Sequence, residues 1–596
     1  MLSLASIVAL LVAAFFGSYV IAFVRNVIAT IGCGVRTVWI PFHHNHPIWM
    51  VMAPITRYWL ERNLPIWIWK RIALTIGCHE MFMKREPYQD LKTDTYMLVT
   101  AGQNELWTSD PEVAYDILKR NKDFGQHPLS IKILSMFGPS LATSDGEQWS
   151  KQRKLITTII NERVSKVVFE ESHRQANLMA SELAHSDVGR QGSASLDGLK
   201  KIAINVLSRA GYGIPASWDG PTSEKYATTQ SSSLRLDFVT CVKTAIDNLI
   251  IAALASPTLL LRLPAWLPGA HRLHMIGHAQ QEYPVHARAR VDEERAMLSD
   301  PAKQGSRNSI ISQLVLNSDS NSSDSKSAGL TETEVFGNLF VFTAAGFDTT
   351  ANALQFAIVL LAIHSDLQTW LYEEVLSIIG PYESNTEGSD DIEYAAIYPR
   401  AIRCQAFLME VLRVHPPVVH SIRINKSGKT QIIKTSKHTI HVPVNTAIYT
   451  DSNAVQTDPK IWRGLNLPNF NGKTGAGVIE TPEDVVERTQ DEYRFRPGRW
   501  VMADNTLFKP PPGSFLPFAA GPRVCPGQKM AQVEFVGVIM TLLGRFKIVP
   551  NSRHGETERE TRDRMQSILD DVRSELTIVM QKMNELDLRW EERVSV

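Results

Sequence analysis

From Val335 to Ile363 the chain reads VFGNLFVFTAAGFDTTANALQFAIVLLAI, and Asp348 is the only charged residue in it. A helix that is apolar on every side has two stable homes, the centre of a large folded body or the inside of a bilayer. The bilayer is the poorer one, because Asp348 would sit near mid-membrane at a cost of about 2.5–3.5 kcal/mol. Just upstream, TETEV sets Thr331 and Glu334 three apart, a capping box that starts a helix. The stretch therefore predicts a long central helix that the rest of the chain must wrap. Packing alone leaves Asp348-Thr349-Thr350 unexplained, since a buried acid is costly without a partner or a purpose.

At 596 residues the chain is long enough for one large core or for several domains. Lys plus Arg and Asp plus Glu balance at 62 each, which gives no whole-chain affinity for nucleic acid. Cys33, Cys78, Cys241, Cys404 and Cys525 are far apart and odd in number, which argues against a disulfide framework and for a reducing compartment. None stands in a CxxC pair or at zinc-type spacing from histidine.

The run Leu4–Val24 carries no charge and is long enough to cross a bilayer. Arg25 and Arg36 follow it and no charge precedes it, so the positive-inside bias places the rest of the chain in the cytosol. A cleaved secretory signal is the competing reading; the missing basic n-region, the length of the run and the unpaired cysteines favour an uncleaved anchor. The organisation expected is a transmembrane signal-anchor over 1–24, a membrane-proximal linker over 25–89 and a mainly helical domain over 90–596. Inside that domain, Asn317–Gly329 is a polar Ser-rich loop, and Ile250–Ala270 is an apolar stretch, broken by prolines, that dips toward lipid.

FAAGPRVCPG, Phe518–Gly527, sets Cys525 behind an arginine and between glycines. A thiolate that donates to a haem iron needs such a loop. Glycines let it approach a flat macrocycle, backbone N–H groups hold the sulfur's charge, and an arginine meets the propionates. The helix that opens at Gln528 points its positive end at the sulfur. Residue type alone also allows a buried structural cysteine.

The pattern F-x-x-G-x-R-x-C-x-G resembles the haem-binding signature of the cytochrome P-450 monooxygenases, and Phe518, Gly521, Arg523, Cys525 and Gly527 match its fixed positions. Other stretches resemble further landmarks of that family in order. EVLR (Glu410–Arg413) resembles its E-x-x-R, and FRPGRW supplies Arg499 as the third member of a structural triad, with Gly498 where glutamate is common. AAGFDTT resembles the oxygen-binding stretch: the resemblance implies room for dioxygen at Ala345 and Gly346, and proton delivery by Asp348 and Thr349 as catalytic residues. WSKQR gives Trp149 and Arg153, and the stretch after HPPVVH gives Arg423, as haem-propionate contacts. The segment LPNFNGKTGAGVIETPEDVVERTQDEY is longer than the family's usual connection and reads as a surface insertion.

The resemblance implies the cytochrome P-450 fold, a helical domain with a small β-rich lobe behind the anchor, and haem b with Cys525 as its metal ligand. It implies a monooxygenase that hydroxylates or epoxidises a lipophilic small molecule with O2 and electrons from NADPH. Those electrons would arrive through an NADPH-cytochrome P-450 reductase at the endoplasmic reticulum membrane, and Lys151, Arg153, Lys154 and Lys529 would form its basic dock. The general style is that of fungal microsomal members acting on terpenoids, steroids or polyketides in secondary metabolite biosynthesis. Ile133, Leu134, Met136, Phe137, Phe342, Val418 and Val419 are the expected substrate contacts. A haem-thiolate isomerase or dehydratase, and a haem carrier or sensor, are the rival functions. The first kind tends to lose the acid–alcohol pair kept here, and the second needs no proton relay.

Overall fold

Thr331 caps the central helix as its spacing predicts. Its hydroxyl accepts from Glu334 N and the Glu334 carboxylate accepts from Thr331 N, so two end donors are satisfied at once. The helix then runs Glu332–Ile363, about 48 Å at 1.5 Å per residue. In this computed structural model its most apolar window is 83% buried inside the protein, so it is a core helix and not a second span. The structure describes residues 4–40, 43, 46–185, 194–214, 217–218, 234–236, 238–299, 309–318, 329–380, 393–464 and 490–593. Most of the Ser-rich loop after Asn317, and the insertion before Phe495 up to residue 489, lie outside those residues.

Helices wrap the central one as an apolar helix demands. Ala194–Tyr212 lies along it, and Glu162–His185 joins that helix to Gln528–Arg545, the helix that follows Cys525. One continuous core binds these elements; Phe340, Leu354, Phe356, Val536 and Leu542 are all sealed within it. Burying side chains of this size stabilises the fold by roughly 1.5–3 kcal/mol each before entropy is subtracted.

A six-stranded sheet forms the smaller lobe, in the order 36–39, 95–99, 104–108, 447–451, 420–425, 124–125. Antiparallel pairing sets Arg423 opposite Ile448, and this register carries one predicted cofactor contact on a rigid strand. Arg36–Trp39 pairs in parallel with Thr95–Val99, and Trp69, Ala73, Leu74 and Ile76 pack beneath the sheet. The stretch 25–89, expected as a linker, thus contributes a strand and a core cluster to the folded body. Its Trp and Ile content has two uses, since Ile55, Trp59, Ile66 and Trp67 remain exposed.

Leu4–Ala29 forms one helix. Its last turns dock on the lobe: Asn26 Nδ2 donates to Thr100 O at 2.8 Å, and Asn104 Nδ2 donates back to Asn26 O at 3.1 Å. Phe16, Val20 and Ile21 face away from the protein.

Candidate active site

The cysteine loop is built by one tight turn and closed by one hydrogen bond. Gly521 has φ +70°, and a Cβ there would stand 2.6 Å from Leu118 O, so glycine is required to seat the turn against the helix Pro111–Lys119. This role differs from the expected cofactor contact: Gly521 is not on the cavity wall. Cys525 N then donates to Phe518 O at 2.9 Å, which brings the ends of the motif together. The other four cysteines are buried, whereas Cys525 is exposed. What it is exposed to is an internal cavity of about 400 Å³.

Burial pushes the Cys525 thiol up from its ordinary pKa, while the N–H groups of Gly527 and Gln528 and the Arg153 charge pull it down. Those groups stabilise a thiolate in a place that otherwise disfavours one. A Cβ at Gly527 would stand 3.9 Å from the sulfur, an ordinary contact, so glycine here is not required by packing against the sulfur.

The cavity wall also includes Phe518, Arg523, Trp149, Arg153, Arg423, Ala345, Gly346 and Thr349, so most of the expected cofactor residues meet in one space. Arg523 donates through Nη2 to Ser144 O at 2.8 Å and pairs with Asp145, yet its Nε and Nη1 are buried with no partner. Its guanidinium lies 4.7 Å over the Trp149 ring. Arg423 is buried, and burial together with the nearby Arg523 charge lowers its pKa to about 10. Arg153 differs from the dock assignment: its Nη1 turns inward to Val524 O at 2.7 Å. A wall with orphaned guanidinium donors, one open sulfur and a mostly apolar lining fits a flat macrocycle with anionic edges and a thiolate-binding metal.

The family model for cytochrome P-450 matches residues 63–464 and 491–572. This chain belongs to the cytochrome P-450 family. A cytochrome P-450 monooxygenase of the phomenoic acid biosynthesis cluster of Leptosphaeria maculans is 31% identical over 574 residues, covering 94% of each chain. A cytochrome P-450 monooxygenase of Penicillium roqueforti is 24% identical, over 82% of this chain and 79% of the relative. A crystal structure of a cytochrome P-450 haem domain superposes with a TM-score of 0.62 at 16% identity, covering 94% of this chain and 99% of the other. The chain is an oxidoreductase of the monooxygenase type, and its cofactor is a thiolate-ligated haem.

In this P-450 the triad is fully enclosed. Arg413 donates to both oxygens of Glu410, at 2.7 and 2.8 Å, and Arg499 Nε donates to Glu410 Oε1 at 3.0 Å. All three side chains have 0% exposure. Sequence reasoning missed the fourth charge: Asp491 lies 3.2 Å from Arg499 and also pairs with Arg496, balancing a second arginine where Gly498 offers nothing. Trp500 Nε1 adds a bond to Glu410 Oε2 at 2.8 Å.

The acid–alcohol pair splits across two sides of the central helix, as neighbours about 100° apart must. Thr349 lines the cavity, its Oγ1 donating to Ala345 O at 2.6 Å. Asp348 points away from the cavity, and its Oδ2 accepts from Thr577 Oγ1 at 2.5 Å. Asn352 Nδ2 donates to the same Thr577 oxygen at 2.7 Å, which fixes the direction in which the hydroxyl donates. Thr577 lies just before the strand Ile578–Met580, far from any motif, so only the fold reveals it. Burial raises the Asp348 pKa, the Thr577 bond lowers it, and Glu575, Lys200 and Asp247 contribute smaller effects.

Of the expected substrate contacts, Phe342 and Val418 line the cavity. Val419 is buried behind it, and Ile133, Leu134, Met136 and Phe137 pack on the core instead. The Phe137 ring lies tilted 4.2 Å from that of Tyr283 and edge-on 4.8 Å from that of Phe340, a packing role that hydropathy cannot separate from a ligand contact. Val206, Leu207, Val341 and Ser421, which line it, were not singled out by sequence.

Proposed function

We propose that this P-450 is a membrane-anchored monooxygenase of secondary metabolism that hydroxylates or epoxidises a lipophilic small molecule. The observation that carries this reading is the single cavity wall that holds the Cys525 sulfur, the Thr349 hydroxyl and the orphaned Arg523 donors together. The relative from a biosynthesis cluster, similar along almost the whole chain, supports the metabolic setting. The apolar lining, with Phe342, Val341, Leu207 and Val418, supports a lipophilic substrate. The uncharged run Leu4–Val24, followed by Arg25, supports a single-pass anchor in the endoplasmic reticulum membrane, with the domain in the cytosol.

When bound, the haem supplies reductive activation of dioxygen, which the thiolate's electron donation favours. This chain's residues do the rest. Arg523 and Arg423 would hold the propionates, with Trp149 and Arg153 beside them. The Gly527 and Gln528 N–H groups and the Arg153 charge work against the burial that raises the Cys525 pKa, and so favour the thiolate that a haem iron would take. Asp348, its pKa raised by burial, stands among the outer groups Lys200, Asp247 and Glu575 as the proton source, and Thr349 would present a hydroxyl to the cavity for delivery. Electrons from NADPH would enter through a reductase docked beside Lys151 and Lys154; Lys529 is held 4.0 Å over the Tyr398 ring.

With NADPH and reductase, the purified protein should oxygenate a lipophilic substrate that also shifts its spin-state spectrum. Turnover with no external electrons would favour an isomerase or dehydratase, and no turnover a carrier. Thr349→Ala should lower product formed per NADPH consumed while the thiolate-type Soret band of the carbon-monoxide complex persists. Unchanged coupling in that variant overturns the proton-delivery role.

A further inference from the structure

Cys241, Glu282 and His286 are buried together where the helix Phe238–Asp247 packs on the helix Ala270–Leu298. One ligand atom from each lies within 4.8 Å of the other two. Glu282 and His286 are four apart, so both leave the same face of their helix. The neighbouring backbone already orients these side chains. His286 Nε2 lies 2.9 Å from Leu236 O, which places the ring proton on Nε2 and leaves Nδ1 as the basic nitrogen. Glu282 Oε2 accepts from Arg235 N at 3.1 Å and Leu236 N at 2.9 Å, while Oε1 faces the His278 ring at 3.6 Å. Outer hydrogen bonds of this kind commonly orient metal ligands.

We propose that Cys241, Glu282 and Nδ1 of His286 hold one zinc ion between these two helices. The donor set selects the metal: thiolate with imidazole suits zinc, whereas magnesium and calcium take oxygen ligands. Charge supports it, because one thiolate and one carboxylate neutralise a divalent ion and the enclosed unit carries no net charge. On binding, the Cys241 S–H bond breaks, sulfur keeps the electron pair for the metal, and the proton leaves to buffer, with no change of oxidation state. Bonds of about 2.0–2.3 Å hold tetrahedral ligands about 3.5 Å apart, against a present spread of up to 4.8 Å between ligand atoms of the three residues, so small side-chain movements close the site. Water fills the fourth position. The site is invisible to spacing rules because its cysteine comes from a different helix.

Holoenzyme incubated with Zn2+ and gel-filtered should retain about one zinc per haem iron by elemental analysis, and the added metal should raise its melting temperature. Cys241→Ser and His286→Gln should lower the retained zinc by about tenfold or more while the Soret band of the carbon-monoxide complex stays unchanged. Should Cys241→Ser fail to accumulate, Glu282→Gln decides, since it keeps an acceptor for Arg235 and Leu236 and removes only the charge. Wild-type protein that retains no zinc, or variants that retain as much as wild type, overturns the site.

Discussion

The proposed role of Asp348 as proton donor makes the Thr577 hydroxyl the group that sets its working range. The Thr577 bond favours the ionised carboxylate, so Thr577→Val removes a lowering influence and raises the Asp348 pKa further. A group that must be protonated to act loses activity above its pKa, so the alkaline limb of coupling should move to higher pH in this variant. Product per NADPH measured across pH checks it, and Thr577→Ser should restore the wild-type profile. A limb that stays in place or moves to lower pH would sink the idea. Arg523 makes a second prediction at this scale. Its Nε and Nη1 are buried without protein partners, and if they hold a propionate as proposed, Arg523→Gln removes charge-assisted bonds worth about 1.5–3 kcal/mol. Haem should then leave about 10- to 100-fold faster, read by transfer to an apo-globin acceptor. At both positions the sequence told an uneven story. Arg523 stood inside a motif and could be read, whereas Thr577 is an ordinary threonine, given meaning only by the fold that brings it to the central helix.

Elements were legible in proportion to how local their cause is. The central helix was readable because its cap and its apolar length lie within one stretch, and the Glu410–Arg413 helix because paired charges in so apolar a setting need each other. Asp491 was not readable, since its purpose comes from arginines that the fold brings together. The strand Arg36–Trp39 was hidden too, because parallel pairing with Thr95–Val99 leaves no local signature. The enclosed triad makes its own prediction. Burial pushes Glu410 up, but the Arg413 and Arg499 charges outweigh it and bring its pKa from the usual 4.5 to about 2. A folded pKa below the unfolded one gives stability that is present above pH 4.5 and is lost as pH falls through about 2. Glu410→Gln should therefore destabilise at neutral pH by about 3–5 kcal/mol, because two buried guanidiniums lose their anion. It should also flatten the acid dependence in that window. Denaturant titrations at neutral and acid pH measure both, and a variant with wild-type slope between them would refute the assignment.

Among the described residues of the whole molecule, exposed apolar side chains are not confined to the Leu4–Ala29 helix proposed as the anchor. Ile55 (72% exposed), Trp59 (64%), Ile66 (66%) and Trp67 (65%) lie on successive helices outside the Leu4–Ala29 helix. Monomeric soluble proteins rarely leave such groups together in water, and aromatic side chains of this kind favour a bilayer interface. The chain's formal net charge is zero, but Arg62, Lys70 and Arg71 stand on the same two helices, so salt must separate apolar from electrostatic attachment. Apolar contact strengthens with added salt, whereas electrostatic contact weakens. A chain of residues 25–596 keeps Asn26 and its bonds to Thr100 and Asn104, so the lobe stays closed once the span is removed. That truncated protein should remain with membranes through a high-salt wash and leave with mild detergent. Ile66→Glu combined with Trp67→Glu should release it into the soluble fraction, with its carbon-monoxide spectrum intact. Release of the truncated wild type by salt alone would show that these helices do not enter the interface.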